Sequence, residues 1–272
     1  MGAPQNHHPV DPLPGLLPWL GGKRNLAARL IRRIEAIPHT CYAEPFLGMG
    51  GVFFRRRRRP PVEALNDLNR DVSNLFRVVR RHPDALLAEL SYSLNSRADF
   101  ERLRATPPES LTDVERAARF YTLQQLSFAG KVRTPTFGYS AMSAGRLAPS
   151  RFQDSVKAAH ARLERVYIDG LPFGDFIARW DRPATLFYLD PPYFGCETDY
   201  GKELFSRDDF ARLADQLAGI RGRFLLSLND RPEVRDIFGR FQVEAVQTTY
   251  TAGGGQHAKS VGEVIISGGR GE

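Results

Sequence analysis

The stretch Leu186-Phe-Tyr-Leu-Asp-Pro-Pro-Tyr193 decides how the rest of the chain is read. From Ala184 to Leu189 five of six residues are apolar, which predicts a short buried strand. Asp190 ends that run and two prolines follow it. A proline donates nothing to a sheet ladder, and it pushes the residue before it out of helical geometry. The chain must therefore leave the sheet in an extended kink, with the Asp190 carboxylate at the strand's carboxyl end. In an open α/β sheet that edge is where ligands bind. A carboxylate and a main-chain carbonyl that accept hydrogens, beside the flat ring of Tyr193, suit a planar heterocycle carrying an exocyclic amino group. The plainer reading of the same residues is a strand-end turn with a capping aspartate.

Working upstream, Thr40-Cys-Tyr-Ala-Glu-Pro-Phe-Leu-Gly-Met-Gly-Gly51 reads as a strand over 40–43 that Glu44 and Pro45 end. A three-glycine turn follows, then a helix around 52–58. Strand, glycine turn and helix form the nucleotide-cradling unit of doubly wound sheets. The spacing Gly-x-Gly-Gly differs from the Gly-x-Gly-x-x-Gly of a pyrophosphate site, so a dinucleotide pyrophosphate site is not indicated. A second strand over 62–65 leads to Asn66-Asp67-Leu68-Asn69. There an acid can accept from both ribose hydroxyls of an adenosine; capping a helix over 69–81 is the alternative role for Asp67. Nearer the start, Leu17-Pro-Trp-Leu-Gly-Gly-Lys23 turns into a helix over 24–36 whose Leu26, Leu30, Ile31 and Ile34 share a face. Trp19 flanks that turn, with core packing as its alternative.

Between about 83 and 164 the alternation of strands and helices stops. Helices are expected over 84–94, 98–103, 112–126 and 152–163, around a glycine- and serine-rich loop region over 127–149. This argues for a helical subdomain, 83–164, inserted into a catalytic domain made of 15–82 and 165–272. Within it Phe128, Phe137 and Tyr139 alternate with Lys131 and Arg133, a composition suited to base stacking and phosphate contact. An ordinary surface loop has the same composition. The five arginines Arg55–Arg59 read as a solvated helix end, or as a phosphate contact. Further strands are expected over 165–168 and 223–228, a short helix opens at Gly174-Asp175-Phe176, and a hairpin over 241–250 and 261–267 closes the chain.

Composition sets outer bounds. The chain has 272 residues, 42% hydrophobic and 11% aromatic, enough for a full core. No apolar run approaches the ~18–20 residues of a membrane span. Residues 1–14, rich in Pro, Gly and His, are expected to be a disordered tail without a signal-peptide apolar region, so a cytoplasmic protein is expected. Two cysteines, Cys41 and Cys196, make no disulfide framework, and no metal is expected. A net charge of +7 favours an anionic partner.

Asp190-Pro-Pro-Tyr193 resembles the catalytic motif of amino-group DNA methyltransferases. Trp19-x-Gly-Gly-Lys23, Glu44-Pro-Phe-x-Gly-x-Gly50, Asn66-Asp-x-Asn69 and Phe137-Gly138 accompany it in the order found in Dam-type adenine-N6 DNA methyltransferases. The resemblance runs from Trp19 to about Ser267. It implies a doubly wound, mostly parallel α/β sheet, S-adenosyl-L-methionine as cofactor and double-stranded DNA as partner; a monomer is expected, with an oligomer as the alternative. By resemblance Asp190, Pro191, Pro192 and Tyr193 are catalytic and act on a flipped-out adenine. Trp19, Lys23, Glu44, Pro45, Phe46, Gly48, Gly50, Asp67, Asp175, Phe176 and Asp190 are cofactor residues, with Trp19 near the methionine or adenosine portion and Lys23 facing the carboxylate. Lys131, Arg133, Phe137, Tyr139 and Lys259 are DNA-binding. Ala129-Gly130 stand where the family usually has Asn-Gly, which leaves the target sequence open. A similar pocket acting on RNA or a protein amide, and a DNA-binding module without activity, are the alternatives.

Overall fold

The computed structural model describes residues 7–19, 23, 25–130, 135–139, 142, 144–197, 204–251 and 258–270; of 129, 249–251 and 258–261 it describes the backbone alone. Seven strands form the central sheet: β1 (Cys41–Glu44), β2 (Val62–Asn66), β3 (Tyr167–Asp169), β4 (Thr185–Leu189), β5 (Arg223–Asn229), β6 (Gln242–Thr251) and β7 (Ala258–Gly269). Their order is β3-β2-β1-β4-β5-β7-β6. The first five run parallel, and β7 lies antiparallel between β5 and β6. Chain order reverses between β1 and β4, which places a crevice at their carboxyl ends.

Side-chain alternation along these strands builds two cores. Tyr42, Leu186, Tyr188 and Leu225 face one layer, with α1 (Ala27–Ala36) and α2 (Arg70–Arg81). Ala43, Phe187, Leu189 and Leu226 face the other, with α7 (Phe173–Trp180), α8 (Asp208–Gly219) and α9 (Pro232–Phe238). Every residue of β4 is buried because helices cover both its faces, which is why it reads as a continuous apolar run. The doubly wound α/β expectation is met.

Residues 83–164 follow α2 and precede β3. They contain α3 (Pro83–Ser91), α4 (Arg97–Ala105), α5 (Asp113–Leu126) and α6 (Pro149–Arg162). A capping box, Thr112 with Glu115, starts α5. Their buried residues, Leu86, Phe100, Tyr121 and Phe152 among them, join the core of the first layer.

Two local expectations are corrected. No helix follows the glycine turn: Phe53–Arg55 is a single 3-10 turn, and Arg58–Arg59 pair antiparallel with His8–Pro9. Residues 7–14 therefore lie against the fold rather than forming a loose tail. Val10 and Leu13 donate their N–H groups to the carbonyls of Arg57 and Phe54 at 2.9 and 2.7 Å. Nor is the arginine run a solvated helix end. Arg57 and Arg58 are exposed, but Arg56 is 1% exposed and pairs with Glu63 at 2.9 Å. Arg162 grips the same carboxylate with both terminal nitrogens, at 2.6 and 2.7 Å. Tyr42 and Phe53 lie under the two guanidiniums at 3.7 and 4.0 Å. Non-helical backbone lets successive arginines face opposite sides, and a buried one requires a paired anion.

Candidate active site

At the end of β4, Asp190 emerges at the crevice with its side chain 24% exposed. Its Oδ1 lies 3.0 Å from Lys23 Nζ and accepts the Ser227 hydroxyl at 3.3 Å. Ser227, on the neighbouring β5, also sits 3.0 Å from the Tyr188 hydroxyl. Lys23 donates to the Tyr193 hydroxyl at 2.7 Å and lies 3.4 Å from Glu263 Oε2. The Tyr193 hydroxyl donates in turn to Glu263 Oε1 at 2.6 Å. Lys23, Asp190, Tyr193 and Glu263 thus form one network, in which Asp190 is mostly buried but reaches the crevice. Asn229, the last residue of β5, pins the loop beyond the prolines: it donates to the Phe194 carbonyl and accepts the Phe194 N–H, both at 2.9 Å.

Burial pushes the Asp190 carboxyl up to about 6 against the opposing pull of the Lys23 ammonium, and the Glu263 charge adds to the rise. Burial likewise lifts Glu44 to about 8, although the Tyr42 hydroxyl donates to its Oε1.

The turn after β1 supplies the other wall. Gly48 and Gly50 adopt φ of +50° and +67°, a region that other residues enter only at a cost. Asp67 ties this turn down: its Oδ2 accepts Gly48 N–H at 2.8 Å and its Oδ1 accepts Asn69 N–H at 2.9 Å. Burial raises Asp67 to about 6 despite these two bonds. Asn69, not Asp67, caps α2, accepting from Asp71 N–H at 2.9 Å. Asn66 joins the strand ends by donating to the carbonyls of Pro45 and Leu171 at 3.0 and 2.9 Å. Trp19 lies on the turn, since a Cβ added at Gly48 would meet its indole nitrogen at 2.7 Å. The indole also packs edge-on against Phe120 of α5, with centroids 6.5 Å apart. Phe46 meets Phe173 and Phe205, each at 5.7 Å, in an aromatic wall.

Several expected residues sit elsewhere or act differently. The Lys23 ammonium faces the Tyr193 hydroxyl, Asp190 and Glu263, which places it at the Asp190 end of the crevice. Phe176 is a core residue at 0% exposure, so its turn offers a ligand its backbone and the exposed Asp175. The Phe137 ring packs on Phe100 at 5.6 Å beneath the Arg97 guanidinium, which anchors its segment. Tyr139 is 78% exposed beside Arg97. Lys131, Arg133 and the Lys259 side chain lie outside the described residues.

Sequence reasoning missed Ser227, Asn229, Phe173 and Glu263. A signal existed for Glu263, the lone acid in Val261-Gly-Glu-Val-Ile-Ile266, because a carboxylate within an apolar strand needs a buried partner. Among the described residues no group of three or more His, Cys, Asp or Glu could hold a metal ion, and no helix is long and apolar enough to cross a membrane.

Curated relatives carry comparable chains. The type II methyltransferase M.CviBI of Paramecium bursaria Chlorella virus NC1A is 25% identical over 227 residues, 82% of this chain and 85% of that protein. The type II methyltransferase M1.LlaDCHI of Lactococcus lactis subsp. cremoris is 26% identical over 268 residues, 92% of this chain and 93% of that protein. The DNA adenine methylase of Haemophilus influenzae is 24% identical over 249 residues, 85% of each chain. The family model for D12 class N6 adenine-specific DNA methyltransferases matches residues 19–252, a span that holds Trp19, the glycine turn, Asp67 and Asp190-Pro-Pro-Tyr193. With those segments gathered around one crevice, the chain belongs to the D12 class N6 adenine-specific DNA methyltransferases.

Proposed function

We propose that this enzyme transfers the methyl of S-adenosyl-L-methionine to N6 of an adenine flipped out of duplex DNA. The observation that carries the reading is the meeting of Asp190, at the kinked end of β4, with the glycine turn of β1 across the sheet's switch point.

The residues present fit the cofactor. A Cβ at Gly48 would collide with Trp19, so the indole is seated directly on the glycine turn that walls the crevice. Each Asp67 oxygen is used by one N–H, which leaves lone pairs for two ribose hydroxyls. The wall of Phe46, Phe173 and Phe205 with Asp175 nearby in the first turn of α7 suits an adenine ring. When bound, S-adenosylmethionine supplies an electrophilic methyl on a sulfonium, with a neutral leaving group.

The rest of the chemistry belongs to the chain. An adenine amino lone pair is delocalised into its ring and is a poor nucleophile. Lys23 and Ser227 hold Asp190 Oδ1, so Oδ2 is the oxygen for one amino hydrogen; the Pro191 carbonyl takes the other. Two acceptors draw the nitrogen out of the ring plane and aim its lone pair, a contribution of alignment. After transfer, the surplus N6 proton has Asp190 Oδ2 as its nearest acceptor. A base stacked in a duplex cannot enter this crevice, so the target is extruded and stacks on Tyr193, a contact worth roughly 1–3 kcal/mol. The inserted segment with exposed Tyr139 and with Lys131 and Arg133, together with Lys259 of the closing hairpin, is the proposed DNA face.

The test is methyl incorporation from labelled S-adenosylmethionine into duplex DNA, tRNA and protein. Label should appear as N6-methyladenine in duplex DNA, and Asp190→Ala should reduce turnover by at least ~10²-fold, the scale of a positioned polar catalyst. Label confined to RNA or protein, or an Asp190→Ala enzyme within threefold of wild type, would overturn the reading.

A further inference from the structure

We infer that Glu263, on β7, is a positioning residue for the transfer: it fixes the Tyr193 ring and shares Lys23 with Asp190. This rests on the methyl-transfer reading above and adds a residue outside its motifs.

Glu263 stands opposite Asn229 in the ladder between β7 and β5, with its side chain wholly buried. Its neighbours Val264, Ile265 and Ile266 are buried apolar residues. An unpaired carboxylate there would be strongly destabilising, so its partners define its role. Those partners are the site itself. Oε1 accepts the Tyr193 hydroxyl at 2.6 Å, and Oε2 faces Lys23 Nζ at 3.4 Å. The Tyr193 hydroxyl therefore has a fixed acceptor in Glu263 and a fixed donor in Lys23, so the far end of the ring is held at two points. The Lys23 ammonium, drawn toward two carboxylates, neutralises Asp190 only in part.

A consequence separates positioning from mere structural support. The groups facing Asp190 are Lys23 from the N-terminal turn, Glu263 from β7, Ser227 from β5, Tyr188 from β4 and Glu44 from β1. Removing the Glu263 charge hands Lys23 to Asp190 alone and makes Asp190 a weaker proton acceptor.

The experiment is the pH dependence of kcat for DNA methylation by Glu263→Gln and Glu263→Asp, with melting curves and cofactor affinity recorded alongside. Glu263→Gln should lose about tenfold or more in kcat. Its acid limb should move down by about half a pH unit or more, the effect of removing a like charge. Cofactor Kd should stay within about threefold. Glu263→Asp keeps the charge but draws it back by one carbon; its kcat should fall with the acid limb at the wild-type position. An acid limb unmoved in folded Glu263→Gln, or an unchanged kcat, overturns the proposal. Should Glu263→Gln not fold, Tyr193→Phe removes only the phenol oxygen; a comparable fall in kcat supports the proposal, and wild-type kcat overturns it. Wild-type enzyme that leaves DNA unlabelled would overturn the methyl-transfer reading instead, a result seen before any variant is made.

Discussion

Replacing Lys23 with methionine tests the network at the ammonium that its carboxylates share. The side chain keeps its approximate length and loses the ammonium, which is 1% exposed and lies 3.0 Å from Asp190 and 3.4 Å from Glu263. Glu263, at 0% exposure, then loses the Lys23 ammonium. Breaking a buried pair by removing one partner costs about 3–5 kcal/mol. With an unfolding entropy near 2.1 cal/mol/K per residue, about 0.57 kcal/mol/K for 272 residues, that loss lowers Tm by about 5–9 °C. The sign with pH follows from Asp190. Its folded value of about 6 lies above the ordinary 3.8, so its contribution to stability is full below the ordinary value and is lost as pH rises through 6. Without the ammonium the folded value climbs further. The Tm deficit of Lys23→Met should therefore be largest in mildly basic buffer and shrink on acidification. The acid limb of kcat should rise toward neutrality, opposite in direction to Glu263→Gln. Thermal melts across that pH range, paired with DNA methylation rates, measure both. A Tm within about 2 °C of wild type together with an unmoved acid limb would refute the account of this network.

Three further outcomes are expected. Asp67→Ala leaves the N–H groups of Gly48 and Asn69 without their acceptor and should raise the cofactor Kd about tenfold or more, with DNA affinity unchanged; calorimetry showing an unaltered Kd would remove Asp67 from ribose binding. Glu63→Gln takes the shared anion from buried Arg56 and Arg162 and should cost about 3–5 kcal/mol by urea unfolding, with kcat per folded molecule preserved. A loss below about 1 kcal/mol would show those guanidiniums to be satisfied without it. Gly48→Ala puts a methyl 2.7 Å from the Trp19 indole nitrogen at a φ of +50°, so it should shift the tryptophan emission and weaken cofactor binding. Wild-type emission and affinity would contradict the close approach.

What could be read from the sequence was local. A five-residue apolar strand stopped by Asp190 and two prolines, a strand followed by Gly-x-Gly-Gly, and an Asn-Asp-x-Asn at the next strand end each write their geometry into a few consecutive residues. Backbone sterics and side-chain periodicity act over that range, so these segments were found within a residue or two of their observed ends. The helix expected over 52–58 failed because pairing of Arg58–Arg59 with His8–Pro9, from a distant segment, overrode local propensity. The arginine run misled for the same reason: whether Arg56 faces water or Glu63 depends on how β2 and α6 pack, not on its neighbours.

The sequence by itself determined that this is a doubly wound α/β protein with an acid at a strand end, a glycine turn and a second acid spaced for a nucleoside. Only the tertiary structure decided that Lys23 and Glu263 meet beside Asp190 and Tyr193. Lys23 and Glu263 stand 240 positions apart, and Lys23 and Tyr193 stand 170 apart. Nothing in the periodicity of either segment encodes the other. They meet because β7 enters antiparallel beside β5 and carries one buried carboxylate to the open end of β4. A charge inside an apolar strand announces that it has a partner; which partner it has is fixed by the sheet order.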